Sequence, residues 1–262
     1  MTTSPTPPLL AMKGISKRFG AVQALKDIEL TVSAGEVVAV VGDNGAGKST
    51  LVKVLAGVHH ADSGTVSLDG SPVRIGSPTD SRDLGIATVY QDLALCDNLD
   101  VVANLWLGRE ITALGVIDEV LMEKESWSLL RELSAKIPSI RTAVASLSGG
   151  QRQTVAIARS LIGEPRIVIL DEPTAALGVA QTAEVLNLIE RLRDKGYGVL
   201  LISHNMADVL AVADRVVVLR LGRNNGDFRV ADVTSEDIIA AITGATDNAV
   251  TRRAGRGSKD TL

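Results

Sequence analysis

The sequence predicts an α/β fold built on a parallel sheet, and three observations support this. Short apolar runs rich in β-branched residues occur at 36–41, 166–171 and 198–203, as in strands buried on both faces. A helix-like segment, residues 178–196, separates the last two runs, and strand, helix, strand in that order favours parallel winding. A glycine-rich stretch follows the first run directly, as in a tight strand-to-helix turn.

The other elements follow from similar patterns. Residues 9–20 and 24–35 look like strands, 63–75 look like a hairpin that turns at Asp69 and Gly70, and 85–92 look like another short strand. Helix-like segments at 101–110, 123–137 and 149–162 dominate from about 95 to 160. A strand is predicted at 214–221, a turn at 222–226, and a helix from Thr234, its cap, to Gly244, its end.

Composition limits the class of protein. The chain has 262 residues, 45% of them hydrophobic, and a net charge of −4, which suits one large domain or two small lobes without nucleic acid as a partner. Cys96 is the single cysteine, which fits a reducing compartment. Neither a signal peptide nor a membrane span is evident, so a cytoplasmic location is expected. We expect a domain over 9–244, a loose arm over 1–8 and a disordered tail over 245–262.

The strongest local motif is the phosphate loop, residues 42–49, which reads GDNGAGKS between a predicted strand and a predicted helix. Its glycines let backbone N–H groups point at phosphate oxygens, and the helix N-terminus adds a positive dipole. Lys48 would reach the β- and γ-phosphates, and Ser49 would ligate Mg²⁺. The predicted nucleotide contacts are Gly42, Asp43, Asn44, Gly45, Ala46, Gly47, Lys48, Ser49 and Thr50. This motif alone does not separate kinases, GTPases and motor ATPases.

A second amide-rich helix start lies at the signature segment, residues 147–151, which reads LSGGQ. Ser148, Gly149, Gly150 and Gln151 could form another phosphate contact. One nucleotide does not need two such cradles nearly a hundred residues apart. Either the domain binds two anions, or each cradle serves the nucleotide of a different molecule.

Four segments together resemble ATP-binding cassette (ABC) ATPases over roughly residues 9–244. They read GDNGAGKST, LSGGQRQTVAIARSL, RIVILDEPTAAL and LLISHNMADV, in the order that this family has. The resemblance implies a P-loop NTPase with a RecA-like core, an antiparallel β subdomain and an inserted helical subdomain at about 95–160. It also implies ATP and Mg²⁺, and a head-to-tail dimer in which the signature segment completes the partner's site.

The resemblance assigns roles to further residues. Asp171 would be the Walker B acid that holds Mg²⁺, with Ser49 and Gln91 as further metal contacts. Glu172 would be the general base that polarises the attacking water. His204 would contact the γ-phosphate and Gln91 would link the two lobes, so that the expected catalytic set is Lys48, Gln91, Glu172 and His204. Phe19 would stack on adenine.

One position departs from the family pattern. Many members have Asp where this chain has Gly178, and the glycine version resembles ribose-, xylose- and fructose-type sugar importers. The resemblance therefore implies the ATPase subunit of a monosaccharide importer, held at the inner face of the membrane by a transmembrane permease. Leu105, Trp106 and Leu107 could line the permease groove or pack in the core, and a sugar-binding protein would act from outside.

Two alternatives remain at this stage. One is a non-transport ABC ATPase acting on DNA or ribosomes, although the chain lacks the long coiled coils or second cassette typical of that class. The other is a regulatory subunit that binds ATP with little turnover, which the presence of Glu172 and His204 disfavours. The single cassette would pair with itself or with a separate cassette.

Overall fold

The computed structural model describes residues 7–245. Its strands are β1 (Leu10–Phe19), β2 (Val22–Val32), β3 (Val37–Val41), β4 (Ser63–Leu68), β5 (Ser71–Val73), β6 (Ile86–Val89), β7 (Thr112–Ala113), β8 (Val116–Ile117), β9 (Ile167–Asp171), β10 (Gly198–Ile202), β11 (Arg215–Arg220) and β12 (Arg223–Arg229). Its α-helices are α1 (Lys48–Leu55), α2 (Pro78–Asp83), α3 (Val101–Trp106), α4 (Glu119–Glu132), α5 (Gly149–Leu161), α6 (Val179–Asp194), α7 (Met206–Val212) and α8 (Ser235–Thr243). Helices and sheets occur together, which confirms the predicted α/β class.

The main sheet has six strands in the order β12-β11-β3-β10-β9-β6. All neighbours are parallel except β11 and β12. Every residue of β3 and β10 is buried, which explains their uninterrupted apolar sequences.

The strand order brings distant segments to one edge of this sheet. Strand β10 lies between β3 and β9, so the carboxyl ends of all three strands are neighbours. The phosphate loop follows β3, Asp171 ends β9, and His204 follows β10. Ligands of open α/β sheets bind at this carboxyl edge. The topology therefore collects the predicted site residues at one place.

A separate antiparallel sheet has the order β2-β1-β4-β5. Its β4–β5 hairpin turns at Asp69 and Gly70, as predicted, with φ values of 49° and 78°. Two consecutive positive φ values suit the two-residue hairpin turn that Asp-Gly favours.

The segment between β6 and β9 is largely helical, as expected, and its helices share an apolar core with α6. Trp106 belongs to this packing because its indole Nε1 donates to Ser126 Oγ at 2.9 Å. Leu105 is fully buried, while Leu107 stays 47% exposed. The hairpin β7–β8 is an unpredicted addition to this segment.

The predicted turn at 222–226 was wrong, because the turn ends at Gly222 and the next residues form β12. The strand was not predicted because its sequence is polar. Its asparagines form hydrogen bonds with neighbouring elements. Asn224 exchanges two hydrogen bonds of 2.9 Å with the backbone of Glu29, and Asn225 Nδ2 donates to the carbonyl of Ala241 at 2.6 Å. The last predicted helix is confirmed, with Thr234 as its N-cap.

The predicted terminal segments largely fall outside the described residues. Residues 1–6 of the expected arm and 246–262 of the expected tail are not among them. Within residues 7–245, no helix combines the length and the hydropathy that crossing a bilayer requires.

Candidate nucleotide site

The phosphate loop has a backbone shape that its glycines make possible. Gly42 and Gly47 have φ values of 154° and 107°, which side chains rarely adopt. Both also lie against other backbone. A Cβ on Gly42 would sit 2.2 Å from the carbonyl oxygen of Leu219, and one on Gly47 would sit 2.7 Å from that of Ala24. Conformation and close approach therefore both require glycine here.

The side chain of Lys48 forms hydrogen bonds within the phosphate loop. Its Nζ donates to the carbonyls of Gly42 and Asp43 at 2.6 and 3.1 Å. Helix α1 begins at Lys48, and no side chain caps its N-terminus. The first-turn N–H groups of a helix have no intrahelical acceptor. Together with the ammonium they form a concave donor set that suits phosphate oxygens.

The acidic side of the site is Asp171. The carboxyl group is about half buried, and its pKa is raised, first by burial and then by the neighbouring Glu172. Lys48 and Lys53 act in the opposite direction. Two carboxylates and two ammonium groups thus interact across the same edge of the sheet.

The donor set is compatible with Mg²⁺. The hydroxyl of the exposed Ser49 and the carboxylate of Asp171 are the hard oxygen donors that Mg²⁺ prefers. No group of three or more His, Cys, Asp or Glu side chains within the described residues could hold a metal ion by itself. Mg²⁺ is commonly bound through one or two protein oxygens plus substrate phosphates, which is the arrangement that these residues permit.

Glu172 and His204 are in direct contact. His204 Nδ1 lies 2.8 Å from Glu172 Oε2, with the imidazole 73% exposed and the carboxylate side chain 15% exposed. The backbone of Glu172 has a φ of 51°, and its N–H donates to the carbonyl of Ile202 at 2.9 Å. Unusual backbone of this kind clusters at functional sites, where the surrounding structure holds it in place.

Gln91 lies two residues beyond β6, at the same edge of the sheet, and is exposed. The preceding Tyr90 links this loop electrostatically to the site, because burial and the charge of Asp171 both raise the pKa of its hydroxyl. The fold therefore places Gln91 at the same edge of the sheet as Asp171 and Glu172.

The signature segment forms the capped start of α5. Ser148 Oγ accepts from the N–H of Gln151 at 3.2 Å, and Gln151 Oε1 accepts from the N–H of Ser148 at 3.0 Å. Gln151 Nε2 also donates to the carbonyl of Lys136 at 2.9 Å. These bonds give Gln151 a structural role that its motif did not reveal. No hydrogen bond in residues 7–245 joins this segment to the phosphate loop.

The packing of neighbouring side chains explains why the signature segment contains glycines. A Cβ on Gly149 would lie 2.8 Å from Leu177 Cδ2, and one on Gly150 would lie 3.1 Å from Gln181 Cβ. Gly178 is different, because a Cβ there would meet nothing within 4 Å. It is the N-cap of α6 with a φ of −75°, so neither space nor conformation requires glycine at this position.

Phe19 ends β1 with 42% of its surface exposed. Its ring makes an edge contact with His59, with 5.0 Å between ring centroids and 67° between planes. Lys17 Nζ lies 5.4 Å from the centroid of the Phe19 ring. An exposed, supported ring face is suited to stacking on a base. His59 is a neighbour that sequence reasoning did not find.

Comparison with known proteins decides the family. The sequence model described as ABC transporter matches residues 25–175. The chain belongs to this family. It is 44% identical over 246 residues to the fructose import ATP-binding protein FrcA of Rhizobium meliloti, covering 91% of this chain and 95% of that protein. It is 43% identical over 235 residues to the xylose/arabinose import ATP-binding protein XylG of Sulfolobus acidocaldarius, covering 90% and 94%.

A further relative is longer. The chain is 40% identical over 237 residues to the ribose import ATP-binding protein RbsA of Yersinia pestis, covering 90% of this chain and 46% of that protein. Among solved structures, the fold matches a nucleotide-free ATP-binding cassette with a TM-score of 0.78 and 26% identity, covering 90% of this chain and 95% of the other. It also matches the ADP conformation of the cassette MJ1267, with a TM-score of 0.78, 27% identity and coverage of 91% and 96%.

Membership of the ABC family confirms the resemblance drawn from the four motifs. The described fold places the phosphate loop, Asp171, Glu172 and His204 at neighbouring strand ends. The signature segment belongs to a different part of the chain, at the start of α5. Sequence reasoning missed Lys53, His59 and the packing of Leu177 against Gly149, because such contacts depend on tertiary structure.

Proposed function

We propose that this ABC cassette binds and hydrolyses ATP to power import of a monosaccharide of the ribose, xylose or fructose class. The observation that carries the ATPase proposal is the Glu172–His204 contact, which lies at the strand ends beside the phosphate loop. The sugar proposal rests on the names of the relatives, which are fructose, xylose/arabinose and ribose import proteins. Those names favour an importer over an ABC ATPase that acts on DNA or ribosomes.

In the proposed reaction the phosphate loop binds the nucleotide. The N–H groups at the start of α1 and the ammonium of Lys48 would bind the phosphate oxygens, and Phe19 would stack on the base. Ser49 and Asp171 would hold Mg²⁺, with Gln91 reaching it from the neighbouring loop. The ion would neutralise charge on the phosphates.

Glu172 is the proposed general base. It accepts a proton from a water molecule whose oxygen forms a bond to the γ-phosphorus, and the bond from that phosphorus to the bridging oxygen breaks, releasing ADP and phosphate. His204 contacts the carboxylate from its exposed side and would donate a hydrogen bond to the γ-phosphate. Glu172 would thus act as the proton acceptor and His204 as a hydrogen-bond donor to the same γ-phosphate.

We propose a head-to-tail dimer as the working unit. The N–H groups at the start of α5 would bind the γ-phosphate held by the partner's phosphate loop, whether the partner is a second copy or another cassette. Val179, next to the signature contact of Leu177, is 91% exposed, which suits a surface that a partner covers.

The permease is proposed to dock in a groove of about 490 Å³ between β6 and the helical part. Leu107 is exposed in this groove, whereas Trp106 packs inward on Ser126 and Leu105 is buried. Arg109 and Arg159 also line it, and burial lowers the pKa of both guanidinium groups. We further propose that the permease holds the cassette at the inner face of the membrane, and that a sugar-binding protein delivers the sugar from outside.

The first test concerns the base. Glu172→Gln should keep ATP binding and lose about 10²- to 10⁴-fold in phosphate release, since a general base contributes roughly that much. The exposed Glu236 of α8 gives a matched control, because Glu236→Gln changes the same groups away from the site. Phosphate release near the wild-type rate in Glu172→Gln would remove Glu172 from this role.

The second test concerns import. ATPase rates would be measured in vesicles that contain the permease, with and without binding protein and candidate pentoses or hexoses. Stimulation by one sugar is the expected result, and Leu107→Asp should abolish the stimulation while leaving the basal rate of the isolated cassette unchanged. Rates that respond to neither permease nor sugar, together with binding to DNA or ribosomes, would favour the alternative.

A further inference from the structure

A buried carboxylate close to the site has no part in the proposed reaction. Asp208 is 7% exposed, and its Oδ2 accepts a hydrogen bond of 2.7 Å from Thr174 Oγ1. Thr174 comes two residues after Glu172, and Asp208 comes four residues after His204. The bond therefore joins the two segments that carry the proposed base and the proposed γ-phosphate contact.

We infer that Asp208 is a positioning residue, which holds Glu172 in its reactive orientation through Thr174. The inference rests on the proposed role of Glu172 as the base. It assigns a task to a side chain to which the proposed reaction gives no role.

The turn after Glu172, residues 172–177, needs such support. Glu172 and Ala176 both have positive φ values, 51° and 60°, although neither is glycine. The turn is closed by two backbone hydrogen bonds, from Ala175 N–H to the carbonyl of Glu172 at 3.1 Å and from Leu177 N–H to that of Thr174 at 3.2 Å. Backbone of this kind persists only when its surroundings over-determine it.

The direct Glu172–His204 contact is poorly suited to provide this support. The imidazole is 73% exposed, and water weakens electrostatic contacts of exposed side chains. The carboxylate of Asp208 is buried, and a hydrogen bond to a buried charged group is stronger and more costly to lose. The Thr174–Asp208 bond is therefore the firmer of the two connections between the segments.

The same turn also touches the signature segment. Leu177 lies where a Cβ on Gly149 would meet it at 2.8 Å. A displacement of the turn would thus move the proposed base relative to both His204 and the start of α5. Loss of the Thr174 bond should therefore impair turnover more than nucleotide binding, which depends on the phosphate loop.

A purely structural explanation must be separated from this one. Asp208 lies in the first turn of α7, where a negative charge favours the helix, although Asn205 already caps it. Thr174→Val removes the hydroxyl and leaves the charge of Asp208 in place. Thr174→Ser keeps the hydroxyl and removes only the methyl group.

The experiment measures kcat and KM for ATP in the full chain. Thr174→Val should lower kcat about 10- to 100-fold, the range expected for a small misplacement of a catalytic group, with KM within about twofold. Thr174→Ser should restore most of kcat. Thr243→Val is the matched control, because its hydroxyl bonds only within α8. Asp208→Asn combined with Thr174→Val should do little more than the stronger single variant.

The outcomes separate the inference from the proposed function. If Glu172→Gln abolishes turnover while Thr174→Val and Asp208→Asn both keep wild-type kcat, Asp208 has no positioning role. Equal losses of kcat, ATP binding and thermal stability, with no rescue by serine, would also overturn the inference in favour of a structural role. Full turnover of Glu172→Gln would instead contradict the proposed base. If Thr174→Val does not fold, the kcat and KM comparison is made on Asp208→Asn.

Discussion

The two glycine-rich segments of the chain use the same residue for different reasons. In the phosphate loop, Gly42, Gly45 and Gly47 all have positive φ values. In the signature segment, Gly149 and Gly150 lie in the first turn of α5 and are not among the residues with positive φ. The phosphate loop needs glycine for its positive φ values and for the backbone that lies against it, whereas the signature segment needs glycine for the side chains packed against it.

The difference shows what a motif does and does not encode. The shape of the phosphate loop depends on fixed backbone, such as the carbonyl of Leu219 against Gly42. The atoms nearest to the signature glycines are side-chain atoms of Leu177 and Gln181, which belong to the turn and helix after the proposed base. The shape of the phosphate loop therefore depends on backbone contacts, whereas the position of the signature segment depends on the side chains of a neighbouring element.

The largest expected effect comes from adding a methyl group to the phosphate loop. Gly42→Ala should destabilise the fold by about 3 kcal/mol or more and abolish ATP binding, because its Cβ would lie 2.2 Å from the backbone oxygen of Leu219. Urea unfolding and fluorescent nucleotide binding would measure both effects.

Gly45→Ala provides the control for that prediction. Gly45 has a φ of 78°, but a Cβ there would meet nothing within 4 Å. Only the conformational cost remains, about 1–2 kcal/mol. Equal destabilisation by the two variants would show that steric contact with Leu219 is unimportant.

A smaller change in stability is expected in the signature segment. Gly149→Ala should leave the free energy of unfolding within about 1 kcal/mol of wild type, since alanine favours the helix by about 1 kcal/mol and Leu177 can move aside. The displaced turn should slow ATP turnover several-fold. Combining it with Leu177→Ala should recover part of the rate, and unchanged turnover in Gly149→Ala would contradict the packing argument.

The smallest effect is expected at Gly178. Gly178→Asp should stabilise the protein by a few tenths of a kcal/mol, because Asp is a better N-cap than Gly and α6 has no side-chain cap. Thermal unfolding at several scan rates would measure it. Gly178→Ala should be less stable than Gly178→Asp, and the reverse order would mean that the N-cap geometry is not used.

Much of this architecture was predictable because strong local patterns determine it. Apolar β-branched runs predicted β3, β9, β10 and β11, the glycine-rich motif predicted the phosphate loop, and the resemblance to ABC ATPases pointed to Asp171 and His204. Strand β12 was missed because its asparagines look like a turn until their side chains bind Glu29 and Ala241. The Thr174–Asp208 bond was missed because it joins residues 34 positions apart. The short helices α2 and α7, of six and seven residues, were not predicted.

The position of β3 in the sheet has a consequence for biosynthesis. Both of its neighbours, β10 and β11, begin after residue 197, and the loop itself is fastened by a hydrogen bond of 3.1 Å from Gly222 N–H to the carbonyl of Ala46. A ribosome-bound chain that ends before β10 contains the whole phosphate loop but neither of the two strands that flank β3. The five apolar residues of β3 then lack the neighbouring strands that pair with β3. During translation, nucleotide can therefore assist folding only after β10, β11 and Gly222 have emerged.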